Sequence, residues 1–420
     1  MTSEQLRGPA ERARGRVLAL VGILLVALHV RAAVTAVSPL LDLVRDDVEL
    51  TATHAGLLGA VPVVSFALFG ALSPAIARAI GLELAVVLAM LASAAGEVLR
   101  ATTTTAPSFL AFSVLALAGL GVGNVLLPPL VKRYFPDRIG ALTAAYSVVM
   151  VVSLSVPPLA AVPIAVRYGW RASVATWAVL GVLAVLPWFG VMVRSRVARG
   201  ALTAVARRDP AAPPRLGRGE LSAGRVWRSP LAWAMAVTFS MNTTNGYVLY
   251  AWLPQLLADA GIDEATAGTW LAYYAFLGVA PALLVPLAAV RMRRPWLLVA
   301  FFVSCLVVGY TGLVFSPSGP LWLWLLAAGL GTGNFPLLLT LINLRTRTHA
   351  GAASLSGFTQ GLGYALAGAG PVVAGLLHEA TGGWDAILWF LVGTALVLGV
   401  AGWFACRPVM LEDTWGGKTV

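Results

Sequence analysis

Twelve apolar stretches run along this chain, at about 17–41, 54–77, 82–99, 108–131, 139–166, 172–193, 230–257, 266–290, 295–315, 319–344, 352–377 and 384–406. Each can cross a hydrocarbon layer roughly 30 Å thick, which takes about 20 residues of helix. In lipid a backbone N–H or C=O finds no water, so each stretch must satisfy its own hydrogen bonds and is expected to be helical. Composition closes the soluble alternative. Of 420 residues, 59% are hydrophobic and 11% charged, against roughly 45–50% and 25% in a soluble globule.

The cations supply an orientation. Arg7, Arg12, Arg14 and Arg16 precede the first stretch like a signal-peptide head, but the apolar run is too long and eleven more follow, so the first span is read as uncleaved. With the N-terminus inside, 24 Lys and Arg fall in inner segments. Four (Arg45, Arg100, Arg167, Arg171) fall in outer ones, and Arg31 lies within a span. Positive residues stay on the cytoplasmic face, so both termini are expected there, in the plasma (bacterial cytoplasmic) membrane. The net charge of +11 then reads as this orientation signal, and no nucleic-acid partner is expected. Cys305 and Cys406 form no disulfide framework. His378-Glu379 lacks the second histidine of a metalloprotease. No cofactor, metal or enzyme activity is expected.

The only long loop, 194–229, holds nine arginines and the stretch DPAAPPRLGRG, and reads as a basic cytoplasmic linker. It divides the chain into an N-terminal six-helix bundle (1–193) and a C-terminal one (230–420). The halves echo each other. GLGVGN at 119–124 returns as GLGTGN at 329–334, Gly169-Trp170-Arg171-Ala172 as Gly383-Trp384-Asp385-Ala386, and Ala55-Gly56 as Ala267-Gly268. Equal helix numbers make this a parallel repeat, whose binding site is expected near the bilayer midplane between the halves. The fold class is an all-α membrane protein with 12 transmembrane helices in two pseudo-symmetric six-helix bundles.

The segments LHVRAAVTAVSPLL (28–41), GNVLLPPLVKRYFP (123–136), AWLPQLLADAGI (251–262), NFPLLLTLINLRT (334–346), LSGFTQGLGYALAGAGP (355–371) and LHEATGGWDA (377–386) extend the likeness over nearly the whole chain. Together they resemble the cyanate/nitroimidazole branch of the major facilitator superfamily. The resemblance implies secondary transport of a small solute by alternating access. One superfamily motif departs: where Gly-x3-Asp is usual after the second helix, Gly70 is followed by Pro74, with Arg78 and Gly81 beyond. Substrate identity does not transfer with a fold.

Three ionisable side chains lie well inside spans: His29, Arg31 and Glu97. Such groups are costly in lipid and face the bundle interior or water. Arg31, Thr35, Ser38 and Asp42 share one helical face. A guanidinium keeps its proton and grips a planar anion with paired donors, so Arg31 is read as a substrate anchor. The alternative is a structural arginine tied to carbonyls or to Glu97. His29 points the other way, packed neutral among small residues or linked to protons. Glu97 either pairs with Arg100 or is proton-linked. Asn124 and Asn334, at matching places in the repeat, line the cavity or pack helices. Thr243, Tyr247 and Tyr250 share a face of the seventh span, and Gln360 and Tyr364 one of the eleventh. They suit a small polar or flat aromatic ligand, or serve packing.

The function expected is transport of a small anionic or planar polar, cyanate-like solute. The chain is taken as a monomer whose partners are the small-molecule solute, the lipid bilayer and, for coupling, protons. The alternative is an exporter of flat hydrophobic or nitroaromatic drugs; a membrane-embedded enzyme or a receptor is the remote one.

Overall fold

The computed structural model describes residues 9–35, 37, 40–48, 50–194, 225–316 and 319–414. The expected linker at 194–229 lies mostly outside them, as do the side chains of Thr35, Ser38 and Asp42. The first half comprises α1 (Pro9–Thr35), α2 (Leu41–Val48), α3 (Ala52–Ile80), α4 (Leu82–Ala101), α5 (Ala106–Tyr134), α6 (Ile139–Thr176) and α7 (Ala178–Arg194). The second comprises α8 (Pro230–Asp259), α9 (Glu264–Leu277), α10 (Val279–Ala289), α11 (Trp296–Phe315), α12 (Leu321–Leu330), α13 (Asn334–Leu344), α14 (His349–Ala367), α15 (Gly370–Thr381) and α16 (Asp385–Ala405).

Ten stretches among the described residues are long and apolar enough to cross a membrane. The other two expected spans are helical as well. In α8 the polar run Thr238, Ser240, Asn242, Thr243, Thr244 and Asn245 is buried, so the helix is held by protein neighbours and not by lipid contact. In α6 the apolar stretch that begins at Ile139 runs on as helix to the interruption at Gly169.

Several spans expected to be continuous are interrupted. The eighth breaks at Gly278 into α9 and α10, the eleventh near Gly368 into α14 and α15, and the tenth through a 3-10 turn at Gly331–Gly333. The boundary between the fifth and sixth spans falls inside α6 at Gly169, where a φ of 84° interrupts the helix. That left-handed conformation is open to glycine without a Cβ penalty. The short helix α2, outside the expected spans, covers a small apolar cluster of Leu40, Val44, Val48, Phe109 and Trp170.

Side chains end the helices where their first N–H groups lack partners. Ser229, Asp263 and Thr348 accept from the backbone N–H of Ala232, Thr266 and Gly351 at the starts of α8, α9 and α14.

The internal repeat has a structural counterpart. Trp170 Nε1 donates to Asp47 at 2.8 Å, and Trp384 Nε1 donates to Asp259 at 3.0 Å. Each indole, just before the last span of its half, thus bonds a carboxylate that lies beyond that half's first expected span. The halves meet where α3 and α5 pack on α14 and where α6 packs on α10. Close approach there relies on glycine: a Cβ on Gly361 would stand 2.8–2.9 Å from Ala71 of α3, and one on Gly140 2.8 Å from the Pro286 carbonyl.

Candidate functional site

The seam between α5 and α14 carries a continuous polar chain. Asn124 Nδ2 donates to Gln360 Oε1 at 2.7 Å and to the Tyr364 hydroxyl at 3.2 Å. Gln360 Nε2 donates to Ser356 Oγ at 2.8 Å, and Ser356 donates to the Val125 carbonyl at 2.7 Å. All four side chains are buried. In lipid such amides and hydroxyls must find partners across helices, which explains why a carboxamide pair sits among glycines here.

Arg31 reaches this chain from α1. Its guanidinium makes a long contact, 3.4 Å, with the Tyr364 hydroxyl and lies over the Phe335 ring at 5.7 Å from the centroid. A cation in that position gains about 0.5–2 kcal/mol, more as water is excluded. Rings enclose Tyr364: Phe239 edge-on at 5.1 Å, Phe66 at 5.3 Å and Tyr247 stacked at 6.5 Å. The result is a cationic, hydrogen-bonding centre walled by flat apolar surfaces, built from both halves.

Five of the expected residues therefore come together: Arg31, Asn124, Tyr247, Gln360 and Tyr364. Thr243 is buried with its hydroxyl unpartnered. Tyr250 is 42% exposed and edge-on to Tyr274, and lies close enough to Arg31 to interact with it electrostatically. Asn334 does not mirror Asn124. Its Nδ2 bonds the Gly331 carbonyl of the preceding turn at 3.3 Å, because the 3-10 turn rotates it away from the position its sequence counterpart holds. Thr35 lies outside the described side chains. Phe66, Phe239, Phe335 and Ser356 were missed by sequence reasoning. Only Phe335 carried a signal, following the repeated glycine motif directly.

His29 and Glu97 form a separate cluster. His29 Nε2 lies 2.9 Å from Ser93 Oγ and 3.6 Å from Glu97 Oε1, with Gly181 and Ala94 close by. The small neighbours are those expected for His29. Glu97 thus faces His29 on α1 and also interacts electrostatically with Arg100 one turn away on its own helix. Among the described residues no ion pair joins Glu97 to Arg31.

At one end of the seam, Lys132 of α5 donates to the carbonyls of Asn343, at 2.7 Å, and Thr346. Glu412 accepts from the backbone N–H of Arg347 at 2.9 Å and of Thr348 at 3.1 Å. The Lys132 bonds tie the two halves, and those of Glu412 lie within the second half.

Two helical halves meeting around a polar, aromatic-walled seam define a membrane transporter of small solutes. A family model of the Major Facilitator Superfamily matches residues 23–368, and the chain belongs to that family. It is 33% identical over 398 residues to the 2-nitroimidazole transporter of Escherichia coli (strain K12), covering 94% of this chain and 96% of that one. It is 28% identical over 367 residues to the cyanate transport protein CynX of the same organism, covering 86% and 90%. These relatives place it in the cyanate/nitroimidazole branch. The solved proton:xylose symporter XylE superposes with a TM-score of 0.74 at 14% identity, covering 97% of this chain and all of that one, a likeness of fold.

Proposed function

We propose that the protein carries a small planar solute with a negative or strongly electron-rich edge, by alternating access across the bacterial cytoplasmic membrane. The observation that supports this is the meeting of Arg31 with Tyr364, Asn124 and Gln360 between the halves. A guanidinium presents parallel donors that match paired oxygens or a linear anion, and the flat ring walls suit a planar body. Tyr364 belongs to the second half and its two polar contacts to the first. A solute that takes its place at Arg31 rewrites contacts across the seam, which links binding to rearrangement of the halves. The proposed division is 1–193, a linker at 194–229 and 230–420, with both termini cytoplasmic and the monomer as the working unit.

The aromatic enclosure favours a second reading, export of flat nitroaromatic compounds. A nitro group offers the same two-oxygen edge as a carboxylate, with a ring to stack, and one relative is a 2-nitroimidazole transporter. Proteoliposome uptake and efflux with cyanate, nitrite, small carboxylates and nitroimidazoles separates the two. Saturable transport of small anions supports the first reading, and transport confined to nitroaromatics supports the second. No transport of any member overturns both.

A further inference from the structure

A groove of about 1310 Å³ runs along the flank of the seam between α3 and α14, apart from the Arg31 site. Its walls are almost entirely hydrocarbon: Gly59, Val63 and Ala67 on one side, Leu362, Ala365 and Val372 on the other. From Gly59 to Arg78 the helix rises about 28 Å, close to the thickness of a hydrocarbon core. The groove therefore lies along the acyl region of the bilayer.

Its two ends differ. At one end stand Arg78, Arg225 and Trp227. Trp227 is held in place by Trp233, whose Nε1 donates to the Trp227 carbonyl at 2.7 Å, and Arg228 lies over its ring at 5.0 Å. Among the described residues none of Arg78, Arg225 or Arg228 pairs with a carboxylate. Ser354, which also lines the groove, is 4% exposed and its hydroxyl has no partner. An apolar channel ending in unpaired arginines and a tryptophan is complementary to one kind of molecule, an amphiphile with a negative headgroup. Basic pockets between membrane helices on the cytoplasmic side take anionic lipid headgroups, and an arginine meets phosphate oxygens with paired donors.

The groove also straddles the two halves. Its floor is the close contact of α3 with α14, and its basic end adds the segment leading into α8. An occupant touches both bodies at once. A ligand with different affinities for two arrangements shifts their balance by that difference.

We propose that this groove is a specific site for one anionic phospholipid, with its phosphate at Arg78 and Arg225 and its acyl chains along Val63, Ala67 and Ala365, and that its occupancy favours the arrangement of the halves seen here. The inner-leaflet position of the headgroup rests on the cytoplasmic placement of the basic segments proposed above. The seam geometry does not depend on it, nor on Arg31.

The test uses the full chain in an uncharged detergent without substrate. Phosphatidylglycerol and phosphatidylcholine with identical acyl chains are titrated while the melting temperature is followed. Phosphatidylglycerol is expected to raise it saturably, with half-saturation at least tenfold lower than for phosphatidylcholine. In Arg78→Gln/Arg225→Gln that advantage should fall by tenfold or more, since each basic residue near an anionic lipid is worth about 1 kcal/mol. Ala365→Trp, which fills the groove and leaves the charges, should remove the saturable shift. Equal response to both lipids, a phosphatidylglycerol shift unchanged in both variants, or the same shift from soluble glycerol 3-phosphate each overturns the proposal.

Discussion

Asn124 on α5 donates to the Gln360 side chain on α14 at 2.7 Å, across the seam where the halves meet. Both residues are buried, so removing one leaves the other's amide short of a partner. Asn124→Leu and Gln360→Leu should each destabilise by about 1–3 kcal/mol, while the double variant should cost less than their sum because no orphan remains. Melting of the four proteins in detergent measures this coupling. Strict additivity would show that the bond contributes nothing.

Arg31 separates the transport reading from a structural one. Arg31→Gln should abolish substrate binding, because the charge is gone and one amide cannot replace the fork. Arg31→Lys should keep part of the affinity, since the charge survives without the bidentate geometry. Folded yield should change little in either. Isothermal binding alongside yield decides it, and normal affinity in well-folded Arg31→Gln removes the anchor.

The glycines of the fourth span differ in what faces them. A Cβ on Gly119 would collide with the Ala89 carbonyl and stand 2.8 Å from the Ser93 nitrogen, whereas one on Gly121 would meet the Ser65 carbonyl at 3.1 Å. Backbone cannot step aside cheaply. Gly119→Ala should therefore lose about 1–3 kcal/mol to overpacking, while Gly121→Ala stays near neutral, its strain offset by the better helix propensity of alanine. Gly121→Leu and Gly331→Leu should both fail, the latter against Leu306. Unchanged melting of Gly119→Ala would refute the packing role.

The Asp47 carboxyl is held below its ordinary range by the hydrogen bond from Trp170 and by Arg171. A depressed folded value adds stability that is present at neutral pH and lost as the group protonates on acidification. The melting gap between the parent protein and Asp47→Asn should hold from pH 7 to about 5 and close below about 4. A gap that widens toward acid would contradict the assignment.

His29 and Glu97 lie 3.6 Å apart in the first half, with Arg100 one turn beyond Glu97 and no contact to Tyr364. If protons drive accumulation, His29→Gln or Glu97→Gln should abolish pH-driven uptake while substrate exchange persists. Full pH-driven uptake in both variants assigns the proton elsewhere.

Much of this was legible in one dimension. Twelve apolar stretches of the right length, the glycine repeat at an offset of 210 and the segments resembling the cyanate/nitroimidazole branch pointed to the helices and the family. The same reading marked Arg31, Asn124, Tyr247, Gln360 and Tyr364, because a polar group inside an apolar run is too costly to be idle. The 3.6-residue period also told which of these share a face of one helix.

The period could not say which faces of different helices meet. Asn124 and Asn334 hold equal places in the repeat, yet one joins the seam and the other folds back on Gly331. Glu97 interacts with Arg100 one turn away, as its spacing allows, but it also meets His29 on another helix, which spacing does not show. Tyr364, one of nine tyrosines, became the hub because Phe66, Phe239, Asn124 and Arg31 converge on it from four other helices. Lipid is as apolar as leucine, so burial alone does not choose among helix faces. Close packing at glycines and hydrogen bonds between helices do, and those exist only once the halves are assembled.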